Sequence, residues 1–482
     1  MIVSSVSASG TSLPRRKVDF DCNVFSVIAQ IFACGDIFTK LSFLIFGLSN
    51  LVRGQIIKGL IFLGTEVAFF VYLFKGFGAF CGVKDLKGLV TLGEVEPIQE
   101  KVLDPISGME VIQTIPGDDS SKFLLYGVVS MLIIAAFILL WKANVKSAYI
   151  AQYAVERGKK PVSIFRDITA LFDKNLHNTL LFFPLVGILA FTITPLIYMI
   201  LAAFTNFDKN HNGINATFDW VGLKNFGEVL GRGGTYGTTF WRILGWTIIW
   251  AIFATFLCYI GGMLLAMLIN RRGLKFKSLW RTVFVMSVAV PQFVTLLTMR
   301  TFIEQNGTLD TFLRSLKILG KTETLGLLDT PLNARISVIL VNCWVGIPYT
   351  MLIMTGILMN IPADLYESAK IDGATKYVMF FKITLPYMIF VTTPHLIQQF
   401  IGNINNFNVI YLLTGGGPSL DPTMYQSGST DLLVTWLYKI TLEKSDYCFA
   451  SAIGICVFII CATLSLITYR RSGSYKNEEE FQ

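Results

Sequence analysis

The stretch Asp364-Leu-Tyr-Glu-Ser-Ala-Lys-Ile-Asp-Gly-Ala-Thr-Lys-Tyr-Val-Met-Phe-Phe-Lys-Ile-Thr-Leu-Pro386 is a charged segment between two apolar runs, each long enough to cross a bilayer. Pro362 precedes it, and Asp364 stands three residues before Glu367, a helix start of capping-box type. From Leu365 to Asp372 a short helix presents Leu365, Ala369 and Asp372 on adjoining turns. Gly373 then permits a bend that other residues resist. Thr375 caps a second short helix through Phe381, and Pro386 opens or kinks the next span. A helix–turn–helix at the membrane face fits a cleft on a soluble partner. The plainer alternative is a solvated loop.

The flanking composition makes this a membrane protein. Of 482 residues, 53% are hydrophobic and 15% charged, whereas soluble domains run at about a quarter charged. A mean hydropathy of +0.59 over this length means repeated bilayer crossings. The net charge of +8 comes from basic residues in short loops beside apolar runs, the positive-inside pattern. No nucleic-acid-binding motif is present, so nucleic acid is not an expected partner; membrane lipids are. The eight cysteines form no CxxC pair and lie mostly in apolar context, implying neither a disulfide framework nor a zinc site. His177, His211 and His395 are scattered, and no metal centre is expected. The first apolar run follows Arg15-Arg16-Lys17 without a cleavage site, so no cleavable signal peptide is expected.

The reading is an all-α membrane protein, a polytopic bundle of about eight transmembrane helices: 56–80, 122–141, 178–203, 243–269, 282–303, 335–360, 387–410 and 447–469. Pro291 predicts a break in the fifth span, and Gly346 with Pro348 a break in the sixth. Lys142 to Lys174 carries seven Lys/Arg against three acids, and Arg271 to Arg281 carries five against none. Lys84 to Lys122 carries eight acids against four Lys. Both termini are therefore expected in the cytoplasm, in a multi-pass plasma (inner) membrane protein, with 361–386 on the same side. The organisation is a cytoplasmic N-terminal segment 1–55 with amphipathic helices and two spans over 56–141 with a short external loop 82–121. A cytoplasmic linker 142–177, a core 178–470 with its loop 361–386, and a cytoplasmic tail 471–482 complete it. Val24 to Leu51 reads as an interfacial amphipathic helix pair or as a ninth span. Val90 to Thr114 alternates around Pro97, Pro105 and Gly108, suggesting a strand or two.

Candidate chemistry lies inside the spans. Asn342 and Tyr349 are seven apart, two helical turns, so they share a face, with Gly346 between them open to close approach. Gln399, Asn403 and Asn406 repeat at four and three, forming one stripe. Carboxamides in hydrocarbon are costly unless bonded. Neutral donors and acceptors beside Trp344 and Tyr349 suit a sugar, but hydrogen bonding between helices explains them as well. Glu66 inside the first span reads as an ion relay or as a carboxyl paired within the bundle. Ser315 to Thr322 mimics a phosphate-binding loop but lacks the first glycine and a preceding strand, so the chain shows no ATPase of its own.

Glu367, Ser368, Ala369, Gly373, Ile383, Leu385 and Pro386 stand at the spacing E-A-A-x3-G-x9-I-x-L-P, with Ser368 replacing the middle Ala. That resembles the cytoplasmic coupling loop of ABC importer permeases. From about His177 onward the chain resembles the larger permease subunit of maltose and maltodextrin importers. The resemblance rests on Val341-Asn342-x-Trp344-x-Gly346-x-Pro348-Tyr349, Asn403-x-Asn405-Asn406-Phe407, Leu412-Leu413-Thr414-x-Gly416-Gly417-Pro418 and Thr430-Asp431-Leu432-Leu433-Val434. It implies a type I ABC importer permease fold and a sugar site on Asn342, Val345, Gly346, Tyr349, Asn403 and Asn406. Gly402 stands where the family carries an aromatic, and Gln399 where it carries a small hydroxyl residue. It implies contacts to the ATPase through Glu367 and Asp372 with Gly373 as the turn. It also implies a second homologous permease, an ATPase dimer, an extracellular sugar-binding lipoprotein and an oligosaccharide cargo.

The expectation is a non-catalytic transport subunit with no cofactor of its own, ATP being used by partner subunits. The runner-up is an ABC permease for another oligosaccharide. An ion-coupled secondary sugar transporter would need paired midplane acids and inverted repeats, and neither is seen. A membrane-embedded enzyme would need a cluster at ligand or triad spacing.

Overall fold

A computed structural model describes residue 18 and residues 23–471, apart from 78–79, 97, 104–109, 116, 213–215, 272, 420 and 422. Arg15-Arg16-Lys17, Pro97, Pro105, Gly108 and the tail beyond 471 fall outside the described residues. The chain forms two units, one of residues 1–201 with 210–220, the other of 202–209 with 221–482.

The first unit begins with α1 (Val24–Cys34), α2 (Ile37–Leu41) and α3 (Leu48–Val52), then α4 (Ile56–Phe74) and α5 (Gly82–Thr91). A hairpin follows, with β1 (Ile98–Leu103) antiparallel to β2 (Glu110–Ile115) and Ile98 opposite Ile115, the strands that the alternation suggested. Then come α6 (Ser120–Glu156), α7 (Ile164–Phe172), α8 (Leu176–Ile188) and α9 (Thr194–Ala202). Helix α6 runs 37 residues, well past the expected span end at 141. Its extension is not bare linker. Asn144, Ser147 and Gln152 are buried there and hold α1 to α3.

This clasp explains 24–51. Helix α1 has 11 residues, about 16 Å of helix against about 30 Å of hydrocarbon. There is no ninth span among the described residues; three short helices replace the expected pair. Asn144 accepts from Gly47 N–H at 2.8 Å and donates to Ser42 C=O at 2.7 Å. Asn50 donates to Ser147 Oγ at 2.8 Å, and Trp141 Nε1 to Phe43 C=O at 3.0 Å. The turn before α3 also meets Glu66: its buried carboxyl accepts from Phe46 N–H at 2.8 Å. The carboxyl is paired within the bundle by a backbone amide.

The second unit comprises α10 (Lys224–Leu230), α11 (Thr235–Asn270), α12 (Lys277–Ala289), α13 (Gln292–Ile303), α14 (Thr308–Ser315) and α15 (Pro331–Met359). It continues with α16 (Ala363–Ile371), α17 (Lys376–Met379), α18 (Leu385–Ile404), α19 (Phe407–Thr414), α20 (Leu433–Lys444) and α21 (Tyr447–Arg471). Over the described residues, seven helices are long and apolar enough to cross a membrane. The pair α12 and α13, bent by 90° at Pro291, brings the number to eight if it is one broken span and leaves it at seven if it is a re-entrant loop. The expected break at Pro291 is thus a right angle.

The expected break in the sixth span is absent. Helix α15 is continuous through Gly346 and Pro348, because it packs against α11 along most of its length. One hydrogen bond lost to proline does not undo that contact. Two other prolines are absorbed differently. Single π turns, Leu189–Ile193 and Phe380–Thr384, each end two residues before a proline, Pro195 and Pro386. Proline lacks an N–H and its ring crowds the carbonyl four residues back; a wider turn just upstream moves that carbonyl aside.

Candidate functional site

The 361–386 segment has the expected bend and a different start. Pro362 is the N-cap of α16 and no side-chain cap bond forms, so the capping box from Asp364 is absent. Asp364 instead lies in the first turn, where the helix dipole favours an acid. Gly373 has φ +74°, left-handed backbone that a β-carbon would strain. Thr375 caps α17, accepting from Val378 N–H at 3.4 Å. The second short helix does not stop at Phe381: it passes through the π turn into α18. The hairpin is therefore built onto the base of a membrane helix.

Glu367, Ser368, Asp372, Gly373 and Pro386 are exposed, while Ala369, Ile383 and Leu385 are half-buried. Ile383 and Leu385 join a core of Tyr259, Met263, Met351, Met354, Ile361 and Met388 that ties α11, α15 and α18 together. Tyr366 joins the same core, and its hydroxyl bonds to Thr384 Oγ1 at 2.8 Å. Through Tyr366, α16 is thus packed against a core shared by three spans. The segment also presents apolar side chains that sequence reasoning did not single out. Ile371 is 87% exposed and Tyr377 80%, with Val378 and Phe381 beside them. Their apolar character in a charged loop is the available signal.

The intramembrane amides converge on α11. Asn342 is buried and its Nδ2 donates to Cys258 Sγ at 3.6 Å. Asn403 is buried and its Nδ2 donates to Thr255 Oγ1 at 3.0 Å, while its backbone carbonyl accepts from Trp250 Nε1 at 3.0 Å. Thr255 and Cys258 lie one turn apart in an apolar helix, and nothing in the sequence marked either as a partner. Gly346 meets Cys258 too: a β-carbon there would stand 2.7 Å from the sulfur. The close approach at Gly346 is thus made by a neighbouring helix.

The stripe on α18 is shorter than expected. The helix ends at Ile404, and Asn406 is the N-cap of α19, its Oδ1 accepting from Val409 N–H at 3.3 Å. It still reaches Asn403, donating to Oδ1 at 3.4 Å. Gln399 is half-buried with an unpartnered Oε1, and His395, one turn back, has an unpartnered Nε2. Gly402 is exposed, Tyr349 is half-exposed, and Val345 is half-buried. Asn342 and Tyr349, expected on one face, differ in burial.

Two of the quoted motifs fold into one cap. The Asp431 carboxylate is buried, accepting from Gly428 N–H at 2.7 Å, Thr435 Oγ1 at 2.8 Å and Lys439 Nζ at 2.6 Å. Burial pushes this carboxyl up, and Lys439 and the N–H of Gly428 oppose the shift. Thr430 donates to Gly417 C=O at 2.7 Å, and Trp246 Nε1 to Thr430 C=O at 3.1 Å. Gly416 has φ +88°, and a side chain there would collide with the Asp431 carboxylate. The phosphate-loop mimic is also accounted for: Glu323 Oε2 accepts from Gly320 N–H at 3.0 Å. Among the described residues no group of three or more His, Cys, Asp and Glu could hold a metal ion.

The family model described as "Binding-protein-dependent transport system inner membrane component" matches residues 258–473. The maltodextrin transport system permease protein MalC of Streptococcus pneumoniae is 32% identical over 445 residues, covering 90% of this chain and 95% of the relative. The galactooligosaccharides transport system permease protein GanP of Bacillus subtilis is 30% identical over 434 residues, covering 90% of this chain and 96% of that one. A crystal structure of a bacterial alginate ABC transporter, in complex with an alginate pentasaccharide-bound periplasmic protein, matches with TM-score 0.51 and 20% identity. It covers 63% of this chain and 95% of that one, a likeness of fold. With seven or eight apolar helices fit to cross a membrane and relatives matched nearly end to end, the chain belongs to the binding-protein-dependent inner-membrane components, the multi-pass permease subunits of ABC importers.

Proposed function

We propose that this permease imports malto-oligosaccharides, pairing with a second homologous permease and resting on an ATPase dimer. A binding lipoprotein outside delivers the sugar, and both termini face the cytoplasm. The observation that carries the coupling half of this reading is the exposed α16–Gly373–α17 hairpin, rooted through Tyr366, Ile383 and Leu385 in the core of three spans. Glu367 and Asp372 supply charge to the ATPase contact, and Ile371 and Tyr377 supply its apolar area. The maltodextrin cargo rests on the near-full-length likeness to MalC.

Asn342, Val345, Gly346, Tyr349, Gln399, Gly402, Asn403 and Asn406 form the sugar-reading set. In the conformation described, Asn342 and Asn403 spend their Nδ2 donors on Cys258 and Thr255. Sugar hydroxyls would take over these bonds in another state of the cycle. A bond to sulfur at 3.6 Å is a weak one to give up. The chain itself uses no cofactor in this reading, and ATP is consumed by the partners.

The second reading, a galacto-oligosaccharide cargo, is favoured by the equally long match to GanP. Uptake of labelled maltotriose by proteoliposomes holding the whole importer separates the two. ATP-dependent uptake displaced by unlabelled maltotetraose and not by galactobiose supports the first reading. Displacement only by galactobiose overturns it.

A further inference from the structure

At the foot of α4, a cavity of about 480 Å³ is lined by Arg53, Lys58 and Lys160, with Ile56, Ile57 and Ile164 on its apolar side, and none of its lining residues is acidic. The geometry points to a binding site for the phosphate of an anionic membrane lipid, its acyl chains lying along α4. Two of the three cations are held in position from behind. Arg53, its side chain 7% exposed, is paired with Asp36 and donates to Ser49 C=O. Lys58 Nζ lies 2.7 Å from Asp167 Oδ2. Lys160 is the exposed third, following Arg157 and Lys159 at the end of α6.

The cavity also receives two helix starts. The N-caps of α4 and α7, Gln55 and Ser163, both line it or flank its lining, and neither side chain caps its helix. The first backbone N–H groups of α4, which has no acid in its first turn, add positive potential to that of the lysines, while Asp167 in the first turn of α7 offsets part of its contribution. The two carboxylates offset part of the cationic charge, and the helix starts with Lys160 leave it favourable to a phosphate.

The source of the phosphate follows from the surroundings. Ile56 opens a 19-residue apolar helix, so the cavity sits at headgroup depth. From it, Ile56, Ile57, Leu60 and Ile61 continue up α4 as exposed apolar side chains at successive turns. A soluble anion has no use for that track; a lipid does. The clustered basic residues are those expected to draw anionic lipid to the cytoplasmic leaflet. The inference stands apart from the transport reading, since it needs neither a sugar nor an ATPase.

The test is native mass spectrometry of the full-length protein released from nanodiscs of equimolar phosphatidylglycerol and phosphatidylcholine. Phosphatidylglycerol should be retained over phosphatidylcholine, and Lys160→Glu should cut that retention about fivefold or more. Lys275→Glu, an exposed basic residue elsewhere, should leave it unchanged. Equal retention of the two lipids, or an equal loss in both variants, would overturn the site. Lysine-dependent binding of inorganic phosphate without preference for phosphatidylglycerol would overturn the lipid assignment.

Discussion

Asn403 bonds to α11 through its side chain and its carbonyl, and the proposed pathway asks the same side chain to meet a sugar. The two roles separate experimentally. Asn403→Ala removes the bond to Thr255 and should lower stability in detergent by about 1–3 kcal/mol, read from the thermal midpoint. It should also raise the KM for maltotriose while ATPase activity of the assembled importer without sugar persists. A lower midpoint with unchanged KM would make Asn403 an interhelical bond alone. Gly416→Ala forces a β-carbon against Asp431 at φ +88°. It should reduce the yield of folded protein by more than Gly402→Ala, which meets open space. At this scale the sequence was half legible. It showed which polar residues lie in hydrocarbon, because their cost there is intrinsic. Their partners were hidden, since Thr255 and Cys258 look like filler in α11. The place of Asn406 was misread because period counting assumed an unbroken helix, although Asn405-Asn406 before Phe407 is good N-cap chemistry.

The α16–Gly373–α17 hairpin was the most legible element, since Gly373, Thr375 and Pro386 each impose a local conformation whatever surrounds them. Its apolar edge was less so, because exposure is a tertiary property. Ile371→Asp should weaken retention of the ATPase subunits by about 1–2 kcal/mol, measured by co-purification at graded detergent and salt. Membrane insertion should be unaffected. The clasp of α1 to α3 was legible only as an ambiguity, because its hydrogen bonds run to α6 about a hundred residues away. Burial raises the Asp36 carboxyl, but Thr39 N–H and Arg53 outweigh it and hold it below its ordinary value. A depressed carboxyl contributes stability above the ordinary carboxylate range of about pH 4 and loses it as pH falls through the lowered value. Amide exchange in α2 and α3 should therefore stay slow from neutral pH to about 4 and quicken below. Asp36→Asn should show fast exchange already at neutral pH.

In the second unit, α11, α15 and α18 share a core with the charged hairpin of α16 and α17. Span count was legible because about 30 Å of hydrocarbon dictates helix length whatever the packing. The straightness of α15 and the right angle at Pro291 were not, since both depend on what lies alongside. The central claim is that force from ATP-driven subunits enters through α16 and Gly373. The direct measurement is sugar uptake in proteoliposomes containing the assembled importer, with the native chain or with Gly373→Pro, which cannot adopt φ +74°. The native importer should take up maltotriose only with ATP, and the variant should assemble in the membrane yet transport none. Undiminished ATP-driven uptake by Gly373→Pro, or uptake by this chain alone on a proton or sodium gradient, would contradict the account.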